Sequence, residues 1–148
     1  KSAKYDVYKL VNHGYKETMG RIGKLPFPMS VEKALSYIKN KLEVPVLRYA
    51  GNKDCLVEKI AILGGAGAEF AGVAKSMGAD LYLTGDLKYH EAQDAAMNGL
   101  VIADGGHFYT ERVIIPYLAK RLRDEFKTRG WNVGVLEDVR AKDIFHCV

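Results

Sequence analysis

The central part of the chain alternates between strand-like and helix-like segments. Residues 57–104 read VEKIAILGGAGAEFAGVAKSMGADLYLTGDLKYHEAQDAAMNGLVIAD. Short apolar runs in this segment end at glycine or aspartate, and helical periodicity follows them. With a last strand predicted at 131–136, the order from about residue 57 is βαβαβαβ. This order predicts an α/β fold with a mixed, partly parallel sheet flanked by helices, because parallel strands need crossover connections.

The boundaries of these elements follow from glycine, proline and aspartate positions. The strands are predicted at 57–63, 80–84, 100–103 and 131–136, and the helices at 68–77, 88–98 and 107–129. A kink is expected in the last helix at Pro116, because proline lacks an amide hydrogen and clashes with the preceding turn.

The segment before residue 57 is less regular. Short strands are predicted at 5–8 and 21–25, and a third at 44–49, where Pro45 favours a sheet edge or a first strand position. A helix is predicted over 31–42, with Ser30 as its N-cap, because a serine hydroxyl accepts a hydrogen bond from a first-turn amide.

The composition is that of an ordinary globular domain. The 148 residues are 48% hydrophobic and 27% charged, which excludes disorder, collagen and a coiled-coil rod. No apolar run reaches the ~18 residues that a membrane span needs, so no membrane association is expected. Two cysteines, Cys55 and Cys147, do not make a disulfide framework, which favours free thiols and a cytoplasmic location. The net charge of +4 is a weak indication of anionic partners.

Three predicted strands end in glycine and polar residues. These ends are Gly64-Gly-Ala-Gly67, Thr84-Gly-Asp86 and Asp104-Gly-Gly-His107. Ligands in open α/β sheets bind beyond the carboxyl ends of the strands. We therefore expect the functional site at this edge of the sheet.

His107 and Glu111 are the first candidate pair. They lie four residues apart at a helix start, so both project from one helix face. Imidazole and carboxylate ligands suit Zn²⁺, Mn²⁺ or Fe²⁺. Asp104 is a candidate third oxygen ligand, or a partner that orients a ligand. The alternative is a plain polar helix start, in which Glu111 interacts favourably with the helix dipole.

The second candidate is the segment Asp86-Leu-Lys-Tyr-His-Glu91. Its Asp86, Lys88 and His90 suit general acid–base chemistry or the binding of an anionic substrate. The alternative is a capped helix start with Asp86 as N-cap, and for Asp86 this alternative is favoured.

The third candidate is the glycine segment 64–67, interpreted as a turn between a strand and a helix. Amides of Gly65 and Gly67 could face a phosphate or another anion. Phe70 stands where a dinucleotide fingerprint needs its third glycine, and the Walker A lysine is missing. A close backbone approach beside a polar ligand is therefore the favoured interpretation.

Together, these three motifs and their order resemble the carboxyl-terminal half of the Nif-three-like family, whose members are also called GTP cyclohydrolase I type 2. The resemblance implies a site of two divalent metal ions (Zn, Mn or Fe). It implies that His107 and Glu111 are metal ligands and that His90, near the metals, is the catalytic acid/base or a substrate contact. Five further residues are expected around the substrate or behind the ligands: Gly65, Gly67, Asp86, Lys88 and Asp104.

The family's remaining ligands, a histidine pair and an aspartate, belong to its amino-terminal half. This chain contains no adjacent histidines. The resemblance thus implies that residues 44–148 are the carboxyl-terminal half of the metal-binding α/β domain. It also implies that residues 1–43 are a segment that returns from an inserted domain and packs on the main domain.

The function implied is a divalent-metal-binding hydrolase-like protein in which metal-activated water is the nucleophile. GTP is implied as the substrate only by the family name, since no residue pattern here indicates guanine recognition. The alternative is a non-catalytic metal-binding regulatory or scaffold protein. The family also implies homo-oligomers, as ring-like hexamers. Nucleic-acid binding rests on the basic face of the helix at 107–129 alone, and is the weakest class.

Overall fold

A computed structural model describes residues 7–9 and 19–146. In this part of the chain the strands are β1 (Val7–Lys9), β2 (Arg21–Ser30), β3 (Arg48–Ala50), β4 (Leu56–Ala66), β5 (Leu81–Gly85) and β6 (Val101–Asp104). The helices are α1 (Val31–Leu42), α2 (Ala71–Ser76), α3 (Tyr89–Met97), α4 (His107–Arg112) and α5 (Ile114–Thr128), with a 3-10 turn at Ala68–Phe70 before α2.

The described strands form one six-stranded sheet in the order β1-β2-β4-β5-β6-β3. Strands β4, β5 and β6 are parallel, whereas β1, β2 and β3 each pair antiparallel with a neighbour. The predicted fold class, a mixed and partly parallel sheet flanked by helices, is confirmed. The strand predicted at 44–49 is observed as β3 (Arg48–Ala50), at the edge of the described sheet, and Pro45 lies before it, outside the strand.

Helices cover both faces of the sheet. Strand β5 shows how, because its residues alternate between two cores: Leu81 and Leu83 pack with α1 on one face, and Tyr82 packs with α2 and α3 on the other. All five residues of β5 are buried. A strand that is buried on both faces reads as a continuous apolar run, which is the pattern at 80–84.

Helix α1 has the bounds that the sequence predicts. The Ser30 hydroxyl accepts a hydrogen bond from the Lys33 amide at 3.4 Å, and the helix begins at Val31. Its buried residues recur at three- and four-residue spacing: Val31, Ala34, Leu35 and Ile38. The cap and the apolar stripe are both local signals, so the sequence suffices here.

Strands β2 and β4 are longer than predicted, and β4 extends from Leu56 to Ala66. Strand β2 runs through Pro26 and Pro28 to Ser30, and its pairing with β4 shifts register between Lys24 and Met29. Proline is tolerated in such an irregular stretch, because its missing amide is not needed for the ladder. The predicted strand at 5–8 is observed as Val7–Lys9, and residues 5 and 6 lie outside the described residues.

The long carboxyl-terminal helix is divided into α4 and α5 at Val113. Pro116 follows three residues later and has no amide to donate to the Arg112 carbonyl, so the ladder is broken there. The helix is therefore interrupted near Pro116, where a kink is expected, and the interruption lies at Val113, one turn earlier.

The last predicted strand is not formed. Residues 131–136 have no regular secondary structure. Trp131 packs against Phe126, with ring centroids 5.8 Å apart, and Arg123 donates to the Val135 carbonyl at 3.0 Å. The segment thus lies along α5 instead of pairing with a strand.

Two further expectations concern membranes and thiols. Among the described residues, no helix has the length and hydropathy needed to span a bilayer. The Cys55 thiol is free and lies 3.2 Å from the Asn52 carbonyl. Cys147 lies outside the described residues.

Candidate metal centre

The candidate site lies at the carboxyl ends of the parallel strands. Strands β4, β5 and β6 point in one direction, so the residues that follow them meet at one edge. Helix α4 begins at His107, three residues after the end of β6. This placement confirms that the three polar strand ends share one edge of the sheet.

His107 lies between two carboxylates. Its Nδ1 is 2.7 Å from Oδ2 of Asp86, and its Nε2 is 3.3 Å from Oε2 of Glu111. All three side chains are about half exposed. The hydrogen bond that Asp86 accepts is the main cause that raises the pKa of His107. Burial opposes this rise, and the nearby charges of Glu111 and Asp86 add to it.

Asp86 reaches His107 from an unusual backbone conformation. Its φ is 54°, in the left-handed region that few side chains adopt. Helix α3 begins only at Tyr89, and the Lys88 amide donates to Oε2 of Glu91 at 3.0 Å. Asp86 is therefore not the N-cap of α3, and its carboxylate is directed to His107 instead.

Gly65 borders Glu111 and His107 closely. A Cβ atom at Gly65 would lie 2.5 Å from Oε1 of Glu111 and 3.4 Å from Cε1 of His107. The φ of Gly65 is +68°, which glycine adopts readily. The Gly65 backbone thus lies close to the candidate ligands Glu111 and His107, and a close approach beside a bound ligand stays a prediction.

The glycine segment is not the turn that the sequence suggests. Strand β4 continues to Ala66 and pairs with Gly85 after a register shift. The Gly65 amide donates to the Thr110 hydroxyl at 3.0 Å, and the Gly67 carbonyl accepts from the Tyr82 hydroxyl at 2.6 Å. Because the Gly65 amide already has a partner, it does not face a phosphate. The role of Gly67 beside a substrate stays a prediction.

Asp104 lies behind the site, not in it. Its exposed fraction is 6%. It accepts hydrogen bonds from the amides of Leu87 and Gly106 and from Arg48. Among the described residues, Asp104 has no hydrogen bond or ion pair with His107 or Glu111, although it borders the same groove as they do.

His90 and Lys88 lie at the start of α3. The ring of His90 makes an edge-to-face contact with Tyr89, at 5.5 Å between centroids. Lys88 Nζ lies 4.0 Å from Oε1 of Glu91 and is largely exposed. In the described part of the chain, His90 has no hydrogen bond or ion pair with the other candidate residues. The catalytic or substrate-binding roles of His90 and Lys88 stay predictions.

The donor set fits two ligands of a metal centre. Metal-ligating histidines usually donate their second ring N–H to a carboxylate, which fixes the tautomer. Asp86 is placed for this on Nδ1, and Nε2 faces Glu111. Within the described residues, no group of three or more His, Cys, Asp or Glu side chains converges to hold an ion. The pair therefore suits two ligands of a larger centre, and the metal centre itself stays a prediction.

A wide groove opens beside the site. It has a volume of about 1410 Å³ and is bordered by α4, α5, the segment 41–48 and the segment 135–145. Asp86, His107 and Glu111 lie in its wall. Its other walls are mainly apolar side chains of α5, such as Ile115 and Leu118.

A comparison with models of protein families identifies the family to which this chain belongs. The model of Duf34/NIF3 (NGG1p interacting factor 3) matches residues 3–142. This chain belongs to the Duf34/NIF3 family. The resemblance inferred from the motifs is thereby confirmed.

Named relatives within the Duf34/NIF3 family are longer than this chain. A GTP cyclohydrolase 1 type 2 homolog of Bacillus subtilis is 35% identical over 131 residues, which are 88% of this chain and 35% of that protein. A homolog of Clostridium perfringens with the same name is 36% identical, over 88% of this chain and 48% of that protein. The chain thus spans about a third to a half of the curated relatives it matches.

A solved structure shows the same architecture. A Bacillus cereus protein related to NIF3 superposes with a TM-score of 0.84 at 37% identity, over 89% of this chain and 37% of that one. A Staphylococcus aureus protein superposes with a TM-score of 0.82 at 31% identity, over 87% of this chain and 43% of that one.

Sequence reasoning missed two residues that support the candidate site of this Duf34/NIF3 family member. Thr110 holds the Gly65 amide, and Arg48 pairs with Asp104 from the edge strand. Thr110 carries a weak signal, because it lies one residue before Glu111 on the same helix. Arg48 has no such signal in the sequence, because 56 positions separate it from Asp104.

Proposed function

We propose that this chain supplies part of a divalent-metal centre, with His107 and Glu111 as ligands. One observation carries the proposal. Nδ1 of His107 is held by Asp86 at 2.7 Å, while Nε2 faces Glu111. This leaves Nε2 and a carboxylate oxygen side by side at the carboxyl edge of the sheet, where ligands of α/β proteins bind.

The ions that fit an imidazole and a carboxylate are Zn²⁺, Mn²⁺ or Fe²⁺, with two in the complete centre. When bound, such ions lower the pKa of water and so supply a nucleophile near neutral pH. In this chain, Asp86 keeps the His107 ring oriented. His90 would exchange a proton with a substrate or contact it, and the exposed ammonium of Lys88 would attract a small anionic substrate.

The rest of the centre would come from a further part of a longer polypeptide. Support comes from the length of the relatives, since this chain spans 35% and 48% of two of them. Their name suggests GTP cyclohydrolase chemistry, so we propose a metal-dependent hydrolase-like activity. The groove beside His107 has room for a substrate of nucleotide size, with a volume of about 1410 Å³.

The test uses the longer polypeptide that contains this chain. Metal content is measured by elemental analysis, and turnover is measured with GTP and with simple phosphoesters. We expect His107→Ala to lose metal and Glu111→Gln to lose turnover. His146→Ala is the control, because His146 is an exposed histidine outside the groove wall. A protein without divalent metal, unchanged by His107→Ala, would contradict the proposal.

The alternative is a non-catalytic scaffold that binds metal and assembles into a ring of identical subunits. An exposed apolar row on and before α5 favours self-association: Val113, Ile114, Ile115, Tyr117 and Leu118. Such a row is larger than isolated surface apolar residues and is typical of an interface. Metal content without turnover of any tested substrate would favour this alternative.

Self-association is tested by light scattering after size-exclusion chromatography. We propose that Ile115→Lys lowers the mass of the assembly, because a charge would be buried in the contact. Met97→Lys is the control, since Met97 is an exposed apolar residue on α3. Equal masses for wild type and Ile115→Lys would exclude α5 from the contact.

A further inference from the structure

The geometry points to Asp104 as a positioning residue that holds Asp86 and His107 together, and not as a metal ligand. Its two carboxylate oxygens bind the backbone on both sides of that pair. Oδ1 accepts from the Gly106 amide at 3.0 Å, and Oδ2 accepts from the Leu87 amide at 3.3 Å. Gly106 immediately precedes His107, and Leu87 immediately follows Asp86.

Arg48 completes this arrangement from the edge strand β3. Its Nη2 lies 2.5 Å from Oδ2 of Asp104 and 3.4 Å from the Leu87 carbonyl. The Asp104 side chain is only 7% exposed. A buried carboxylate is costly unless it is paired and hydrogen-bonded, and here three donors satisfy it.

The arrangement explains how Asp86 keeps its unusual backbone. A φ of 54° is rare for a non-glycine residue and persists only where neighbouring contacts enforce it. Asp104 and Arg48 fix both the amide and the carbonyl of the next residue, Leu87. They thereby hold the loop in the conformation that aims Asp86 at His107.

The consequence concerns the neutral form of the His107 ring. With Asp86 on Nδ1, the Nδ1–H tautomer is favoured and the Nε2 lone pair is left toward Glu111. If Asp104 no longer held the loop, Asp86 would leave Nδ1. The ring would then shift toward the Nε2–H tautomer, because the Glu111 carboxylate lies 3.3 Å from Nε2 and accepts from an N–H there.

The experiment measures the His107 tautomer by long-range ¹H–¹⁵N NMR on this chain without added metal, at a pH where the ring is neutral. Asp104→Asn keeps the size of the side chain but loses one acceptor oxygen and the charge that pairs with Arg48. We expect its His107 signals to move most of the way from those of wild type to those of Asp86→Asn.

Asp80→Asn is the matched control. Oδ2 of Asp80 also accepts two backbone amides, from Glu58 and Lys59, both at 2.9 Å. Asp80 precedes β5, so it lies at the opposite edge of the sheet. We expect Asp80→Asn to reduce stability and leave the His107 tautomer unchanged.

Two outcomes would overturn the inference: a folded Asp104→Asn with wild-type His107 signals, or an equal shift in Asp80→Asn. If Asp104→Asn does not fold, Arg48→Gln on the edge strand serves instead. It should move the signals the same way by a smaller amount, and no movement would overturn the inference. The inference rests on the proposed function in one respect only, the use of the tautomer, which is to leave Nε2 available to a metal ion. Because the measurement needs no metal, its failure is distinguishable from a failure of metal binding.

Discussion

Nδ1 of His107 lies 2.7 Å from Oδ2 of Asp86, and this contact joins the loops after β5 and β6. Twenty-one positions separate the two residues along the chain. The parallel pairing of β5 with β6 brings their carboxyl ends together, with Thr84 opposite Asp104.

Asp86→Asn should lower the pKa of His107 toward its ordinary value of 6.5, because the carboxylate that favours the charged ring is removed. The measurement is an NMR titration of the ring protons in the metal-free chain. Asp94→Asn on α3 is the control with the same loss of charge. A pKa that is equally low in wild type would contradict the expectation.

The same pair should make stability depend on pH. Since folding raises the pKa of His107, its stabilising contribution is fully present below 6.5 and is lost as the pH rises through the folded-state pKa. Urea unfolding across this range should show a decline in wild type that is reduced in Asp86→Asn. Parallel pH profiles for the two proteins would exclude the contribution.

Gly65→Ala should destabilise the fold and displace Glu111. The left-handed backbone of Gly65 costs an alanine roughly 1–2 kcal/mol, and the new Cβ would meet Oε1 of Glu111 at 2.5 Å. Gly130→Ala is a matched control, because Gly130 has the same φ of +68° with open space around it. We expect a larger loss of unfolding free energy for Gly65→Ala. Equal losses would show that Glu111 moves aside without cost.

Tyr82→Phe should cost about 1 kcal/mol of unfolding free energy, the usual value of one buried hydrogen bond. The Tyr82 hydroxyl donates to the Gly67 carbonyl at 2.6 Å, and burial raises the pKa of Tyr82, so it stays neutral. Tyr117→Phe is the control, since Tyr117 is 61% exposed. Chemical denaturation measures the unfolding free energy of both variants. Equal losses in Tyr82→Phe and Tyr117→Phe would contradict the expectation.

The chain by itself should bind divalent metal weakly, because two ligands give little affinity compared with a complete set of four or more. Titration with Co²⁺, followed by visible absorption, measures this. His107→Ala should remove the remaining binding, and His146→Ala should not. Tight binding of one ion or two per chain would show that further ligands exist among residues 1–148.

Local signals let the sequence predict several elements correctly. Helix α1 matches its predicted bounds, because the Ser30 cap and the apolar spacing act within a few residues. Strands β5 and β6 were predictable as short apolar runs that are buried on both faces. The common edge of His107, Asp86 and the glycine segment followed from the strand order.

Other features depend on contacts between distant residues. The segment 131–136 has a strand-like pattern, yet it lies along α5, where the ring of Trp131 packs at a tilt against that of Phe126. The glycine segment reads as a turn, yet the pairing of Ala66 with Gly85 keeps it in β4. Propensity is weak compared with such tertiary contacts, so pattern alone misplaced both.

The sequence by itself determined the fold class, the edge of the sheet that carries the candidate site, and the closeness of His107 to Glu111, because these follow from periodicity and from spacing along one helix. Only the tertiary structure decided which carboxylate serves which role. Asp86 contacts His107, whereas Asp104 binds the amides of Leu87 and Gly106. The physical reason is that a carboxylate's role is set by the donors within about 3 Å of it, and here most of those donors come from other strands and loops.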